Sequence, residues 1–193
     1  MFLIEQYAHR AAHRIYQAVI KAENAKTKAK EKPTLLPILR PYENVGSTRY
    51  VAFDTARPVY PTHPKKCHLS HVVADTTSWE QKTAQSLEEM DEVIHYVKNH
   101  NLGFTIPYIG YDRTRHYVPD FIVEVDQGTG DPLHLVLELS GEPREDKQTK
   151  VDTAKNLWAP AVNNAGKFGQ WAFLEVSDPW DVQNTMSAFL HQR

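Results

Sequence analysis

The sequence predicts an α/β domain with its elements in the order α-β-β-β-α-β-α, on three observations. Helical spacing and strand alternation succeed one another from Trp79 onward. Two adjacent segments pair as a hairpin with one wholly apolar face. The chain has 193 residues, 41% hydrophobic and 24% charged, which suits one globular domain of roughly 100–200 residues with an appendage. Charge narrows the class less. Twenty-two Lys+Arg against 24 Asp+Glu give a net charge of −2, so composition neither demands nor excludes a nucleic-acid partner. The single cysteine, Cys67, rules out an internal disulfide framework and a four-cysteine zinc site, and suits a reducing compartment, with cytoplasm the expectation. Glu5 and Arg10 interrupt any signal-peptide core, and no apolar run approaches the roughly 18 residues of a membrane span. No membrane partner is therefore expected.

Each element has its own signal. Ile4, Tyr7, Ala8, Ala11, Ile15, Ala18, Val19 and Ala22 recur at three- and four-residue spacing, which predicts an N-terminal amphipathic helix. Its stripe needs a partner, and homodimerisation through it is one outcome. Lys26, Lys28, Lys30 and Lys32 follow in a segment without apolar periodicity, which reads as a solvated tether. The proline-dense stretch 33–64 favours extended segments and turns. A strand is expected at 68–75. Thr77 or Ser78 then caps a helix over 79–99 with a stripe of Thr83, Leu87, Met90, Ile94 and Val97. Strands are expected near 103–111, 117–125 and 133–140, then a helix near 146–161 and a strand near 170–177. Asp178 and Pro179 open a last helix.

The two central strands register by arithmetic, because paired positions of an antiparallel hairpin have a constant sum of residue numbers. Centring the turn on Thr129 pairs Phe121 with Leu137, Val123 with Leu135 and Val125 with Leu133 on one face. Ile122 then faces Val136 and Glu124 faces His134 on the other. Asp120 falls opposite Glu138, with Cβ atoms expected about 4.5–5.5 Å apart, an arrangement that like charges destabilise. A divalent cation held by both is the usual remedy, and hard oxygen ligands suit Mg²⁺, with Mn²⁺ as a substitute. The plainer alternatives are two solvated carboxylates or a shared proton.

Other residues bear on this pair. Glu80 lies seven residues before Leu87, on or beside the helix stripe, while Glu88, Glu89 and Glu92 are expected to point away. Glu80 would be a third ligand or would orient a metal-bound water, its alternative being a helix-start acid favoured by the macrodipole. Lys147 and Lys150 lie four residues before Val151 and Ala154, on the packing side of the next helix, where they either serve the site or snorkel to water.

At Tyr117-Val118-Pro119-Asp120-Phe121, followed on the next strand by Leu137-Glu138-Leu139-Ser140-Gly141, the chain resembles the PD-(D/E)XK nuclease superfamily, whose restriction-endonuclease-like core is α-β-β-β-α-β with a mixed central sheet flanked by helices. More narrowly, segments 78–99, 103–108, 117–126, 138–142 and 158–176 look like the C-terminal endonuclease region of type III restriction enzyme Res subunits and related helicase-nucleases. The resemblance runs from about Tyr50. It divides the chain into a connecting helix and linker, 1–49, and a nuclease-like domain, 50–193.

The resemblance implies Mg²⁺-dependent hydrolysis of phosphodiesters in double-stranded DNA by metal-activated water, within an anti-phage restriction system that includes helicase/ATPase and methyltransferase subunits. It implies that Asp120 and Glu138 hold the metal, that the Leu139 carbonyl adds a ligand and that Glu80 is the first-helix acid. The family's lysine, two residues after the glutamate, is Ser140 here, and Lys150 or Lys147 would supply the ammonium instead. Otherwise the domain is a catalytically degenerate module that binds DNA or docks a helicase.

Three further signals carry less. His63, Cys67, His68 and His71 match no zinc-finger spacing. No G-x-x-x-x-G-K-[ST] phosphate loop occurs, so the chain has no ATPase motor of its own. Trp158, Trp171 and Phe173 read as packing residues.

Overall fold

The computed structural model describes residues 34–37, 46–74, 78–110, 113–140 and 147–193, with Arg14 and Ala18 in helical conformation. The rest of the expected N-terminal helix, the tether at 26–32, Thr77 and Asp146 lie outside the described residues.

The fold is mixed α/β. Strands β1 (Val59–Pro61) and β2 (His71–Val73) form one small antiparallel pair, followed by helix α1 (Trp79–Glu89) and strand β3 (Val93–Lys98). Strands β4 (Ile106–Ile109) and β5 (Thr114–Tyr117) make a second antiparallel pair. Strands β6 (Phe121–Val125) and β7 (Leu133–Leu139) form the central hairpin. Helix α2 (Lys147–Thr153), a π-helical turn (Ala154–Trp158) and helix α3 (Ala159–Ala165) then lead to β8 (Gln170–Val176), a 3₁₀ turn (Pro179–Asp181) and helix α4 (Val182–His191). The main sheet has the order β3-β6-β7-β8, antiparallel except for β7 beside β8. That parallel pair needs a crossover, which the α2–α3 helical segment supplies.

Alternation along β6 and β7 sets the two layers. Phe121, Val123, Val125, Leu133, Leu135 and Leu137 are fully buried beneath Ala84 and Leu87 of α1 and Val182 and Met186 of α4. At about 1.5–3 kcal/mol for each large apolar side chain, this layer supplies most of the hairpin's stability. On the opposite face Val136 and Phe173 pack with Ala154, with Ile106, Tyr108 and Tyr117 of the β4–β5 pair, and with Phe104, Trp158 and Trp171. Trp158 and Trp171 meet edge to face at 5.3 Å, and Phe104 stacks on Trp171 at 5.8 Å, so these aromatics pack as expected.

From α1 the chain runs α-β-β-β-β-β-α-β-α; the expected order holds for the main sheet alone, with its first strand reassigned. The helix expected over 79–99 ends at Glu89, and Val93–Lys98 pairs with β6 from Val93↔Val125 to Lys98↔Phe121. The helical spacing of Met90, Ile94 and Val97 is coincidental there; β-forming Val93, Ile94, Tyr96 and Val97 gain more from the sheet. Ile94 is consequently exposed. The strand expected at 103–111 belongs to the β4–β5 pair rather than the main sheet. The strand expected at 117–125 breaks at Val118, Pro119 and Asp120, where proline has no N–H for a ladder. The helix expected at 146–161 continues to Ala165. The π turn accommodates Pro160: Ala159 donates five residues back to the Ala154 carbonyl, just ahead of the residue that cannot donate. Gly166 closes the segment in the left-handed region, φ 66°, which a residue with a Cβ adopts at a cost.

Candidate acid site at the mouth of the central hairpin

The hairpin register is the expected one, Phe121↔Leu137 through Val125↔Leu133. Asp120 immediately precedes β6 and lies beside Glu138, and both are half-buried. The Leu139 N–H donates to Asp120 Oδ2 at 2.8 Å. The Tyr117 hydroxyl, at the end of β5, donates to Glu138 Oε2 at 2.7 Å.

Burial dominates the electrostatics. It raises the Asp120 pKa, with the Leu139 amide and the Lys98 charge pulling down and Glu80 pushing up. Burial and then the Asp120 charge push Glu138 up to about 8, against the pull of the Tyr117 hydrogen bond. Burial and mutual repulsion thus both favour a proton held within the pair, one of the alternatives left open by the hairpin arithmetic. Burial beside Glu138 also raises Tyr117, which stays a donor.

Glu80 lies in the first turn of α1, 7% exposed, as its position on the stripe requires. Its Oε1 is 3.6 Å from Lys98 Nζ, while its Oε2 is buried without a hydrogen-bond partner among the described residues. Glu88 does not point away. It accepts from the Tyr60 hydroxyl at 2.9 Å, the Tyr96 hydroxyl at 2.8 Å and the His63 N–H at 2.6 Å, tying the β1 segment to the helix.

The two expected lysines reach other partners. Lys147 Nζ pairs with Glu175 Oε1 at 2.9 Å, and Lys150 Nζ lies 5.6 Å from the centroid of the Tyr108 ring. Glu175 stands beside Glu138 in the parallel register. Burial raises Glu175, but the Lys147 ammonium and other neighbours outweigh it and hold its pKa below the ordinary value. Ser140 itself is buried, its N–H bonded to the Val176 carbonyl at 2.9 Å.

Sequence reasoning missed Lys98, Asn99, Tyr117 as a donor and Glu175. Lys98 and Asn99 were hidden by reading 79–99 as one helix. Glu175 was hidden because a parallel register has no constant-sum rule within a hairpin.

Among the described residues no three or more His, Cys, Asp or Glu side chains converge as a metal cluster. The donors at hand are the Asp120–Glu138 pair, all carboxylate oxygen, with the orphaned Glu80 Oε2 in the same neighbourhood. Two carboxylates of this kind fit a hard divalent cation that keeps waters as its other ligands.

No protein-family model, curated protein or solved structure matches this chain. Among the described residues no helix is long and apolar enough to cross a membrane.

Proposed function

We propose that the chain is a metal-dependent DNA endonuclease domain with a PD-(D/E)XK-type core, acting within a type III restriction-like system beside a helicase. One observation carries the reading: two half-buried carboxylates, Asp120 and Glu138, adjoin at the mouth of the hairpin, where a proton or a cation must offset their repulsion. The α-β-β-β-α-β order of α1, β3, β6, β7, α2 and β8 supports it.

Asp120 and Glu138 would hold Mg²⁺ or Mn²⁺, which when bound supplies an activated water and offsets charge on the phosphate. The chain's own part is preorganisation. Leu139 N–H and Tyr117 O–H each fix one carboxylate oxygen of the pair. Removing water from the pair strengthens every charge interaction at the hairpin mouth. The test is nicking of supercoiled plasmid with Mg²⁺ or Mn²⁺. Activity is expected in the native protein and not in Asp120→Asn or Glu138→Gln; unchanged cleavage in both variants removes the proposal.

A second reading, a degenerate nuclease-fold module that binds DNA or docks a helicase, is favoured by Ser140 together with the pairing of Lys147 to Glu175. It expects DNA retention without cleavage in either metal.

A further inference from the structure

We propose that Lys98 and Asn99, the corner where β3 ends, are the positioning element of the acid site: Asn99 clamps the turn that presents Asp120, and Lys98 supplies the positive charge that Ser140 does not. The role in catalysis rests on the nuclease reading, whereas the clamp on Asp120 stands apart from it.

Lys98 is 3% exposed, and an ammonium is costly to bury unless it is paired. Its Nζ lies 3.6 Å from Glu80 Oε1 and 5.6 Å from the centroid of the Phe121 ring. Phe121 immediately follows Asp120 in the chain and is the register partner of Lys98. One cation thus stands against acids from two elements, Glu80 of α1 and Asp120 at the mouth of the hairpin. Lys147 and Lys150 are directed to Glu175 and the Tyr108 ring instead.

Asn99 grips the same turn from the backbone side. Its N–H donates to the Asp120 carbonyl at 2.8 Å, and its side-chain amide donates to the carbonyls of Pro119 at 3.0 Å and Phe104 at 2.8 Å. With the Leu139 N–H on the carboxylate, Asp120 is held at both its peptide and its side chain. Asn99 Oδ1, like Glu80 Oε2, is buried without a hydrogen-bond partner among the described residues. An orphaned buried acceptor costs about 1–3 kcal/mol unless a cation or an ordered water satisfies it. Glu80 Oε2, beside Lys98 and close enough to Asp120 to raise its pKa, is the one such a ligand at the acid site would reach.

The test separates a structural ion pair from a positioning role by comparing Glu80→Gln with the Lys98→Met/Glu80→Gln double variant, at equal folded fraction. A pair that matters only to itself makes the two identical. The proposal expects kcat on plasmid DNA in the double variant to be at least about tenfold below that of Glu80→Gln, with KM within about threefold. Lys98→Arg should keep kcat within about tenfold of the native protein, while Lys98→Met loses about 10²-fold. Equal kcat in Glu80→Gln and the double variant, or native kcat in Lys98→Met, overturns the role of Lys98. Asn99→Ala should speed amide hydrogen exchange at Leu139 at least about tenfold while Val123 and Leu135 stay protected; unchanged exchange at Leu139 overturns the clamp. Asp120→Asn runs alongside, and cleavage surviving in it overturns the nuclease reading rather than the clamp, which the exchange measurement decides without DNA.

Discussion

The two ends of the β6–β7 hairpin carry the same chemistry on the same sheet face and put it to different uses. At the turn end Glu124 pairs in register with His134 and lies 3.1 Å from His95 Nδ1, with the His95 and Glu124 side chains 40% and 33% exposed. At the mouth Glu138 lies beside Asp120, and burial and that charge push its pKa up to about 8. Both glutamates sit on the face opposite Phe121, Val123 and Val125, so alternation alone does not distinguish them. What distinguishes them is the neighbour each meets: Tyr117 from the β4–β5 pair donates to Glu138 beside Asp120 at the mouth, whereas Glu124 meets His95 and His134 at the turn end. A carboxylate becomes chemically unusual through the elements packed over it, not through its place in a strand.

The largest expected effect breaks this comparison at its centre. Glu138→Gln should lower plasmid cleavage by at least about 10³-fold, whereas Glu124→Gln should stay within about twofold of the native rate. Equal effects in a time-course assay would deny the contrast between the two ends. Next comes the apolar layer beneath both. Leu137→Ala, at a fully buried position, should cost about 2–5 kcal/mol in urea unfolding, much as Leu133→Ala should at the other end. A cost below 1 kcal/mol at Leu137 would mean that the mouth is loosely packed.

The pH dependence of stability sharpens the comparison. Glu138 binds its proton more tightly folded than unfolded, so the native state holds more protons between its ordinary value of 4.5 and about 8. Stability should therefore be greatest below the ordinary carboxylate range and fall as pH rises to about 8, by on the order of a few kcal/mol. Glu138→Gln should flatten that fall, and Glu124→Gln should leave it unchanged, in denaturation midpoints taken across pH 5–9. A smaller effect is expected of Tyr117→Phe, which removes one donor to Glu138 and should lower stability by about 1–2 kcal/mol at pH 8 while raising the Glu138 pKa further. Smallest of all is His95→Ala, where an exposed pair with Glu124 should contribute no more than about 1 kcal/mol.

The legible part of the molecule was the part governed by local rules. Strand alternation and a short turn are properties of adjacent residues, so the pairs Phe121↔Leu137 to Val125↔Leu133, and with them Asp120 beside Glu138, followed from arithmetic. Glu80 was found by its offset from Leu87. The remainder depends on contacts between distant segments. Val93–Lys98 carries helical spacing and strand-forming residues at once, and only β6 as a neighbour decides between them. Glu175 and the Lys147 that reaches it meet across a parallel pair, and Tyr117 arrives on a strand that looked continuous with β6. Pro160 lies within the helical segment, and the π turn before it removes the conflict.

The central claim, that the half-buried pair takes up a divalent cation in exchange for its proton, is tested most directly by calorimetric Mn²⁺ titration at pH 7 in two buffers of different ionisation enthalpy. The account predicts saturable binding of Mn²⁺ with release of protons to the buffer, both lost in Asp120→Asn and Glu138→Gln and both kept in Glu124→Gln. Absence of Mn²⁺ binding in the native protein, or binding that survives undiminished in Asp120→Asn and Glu138→Gln, would contradict it.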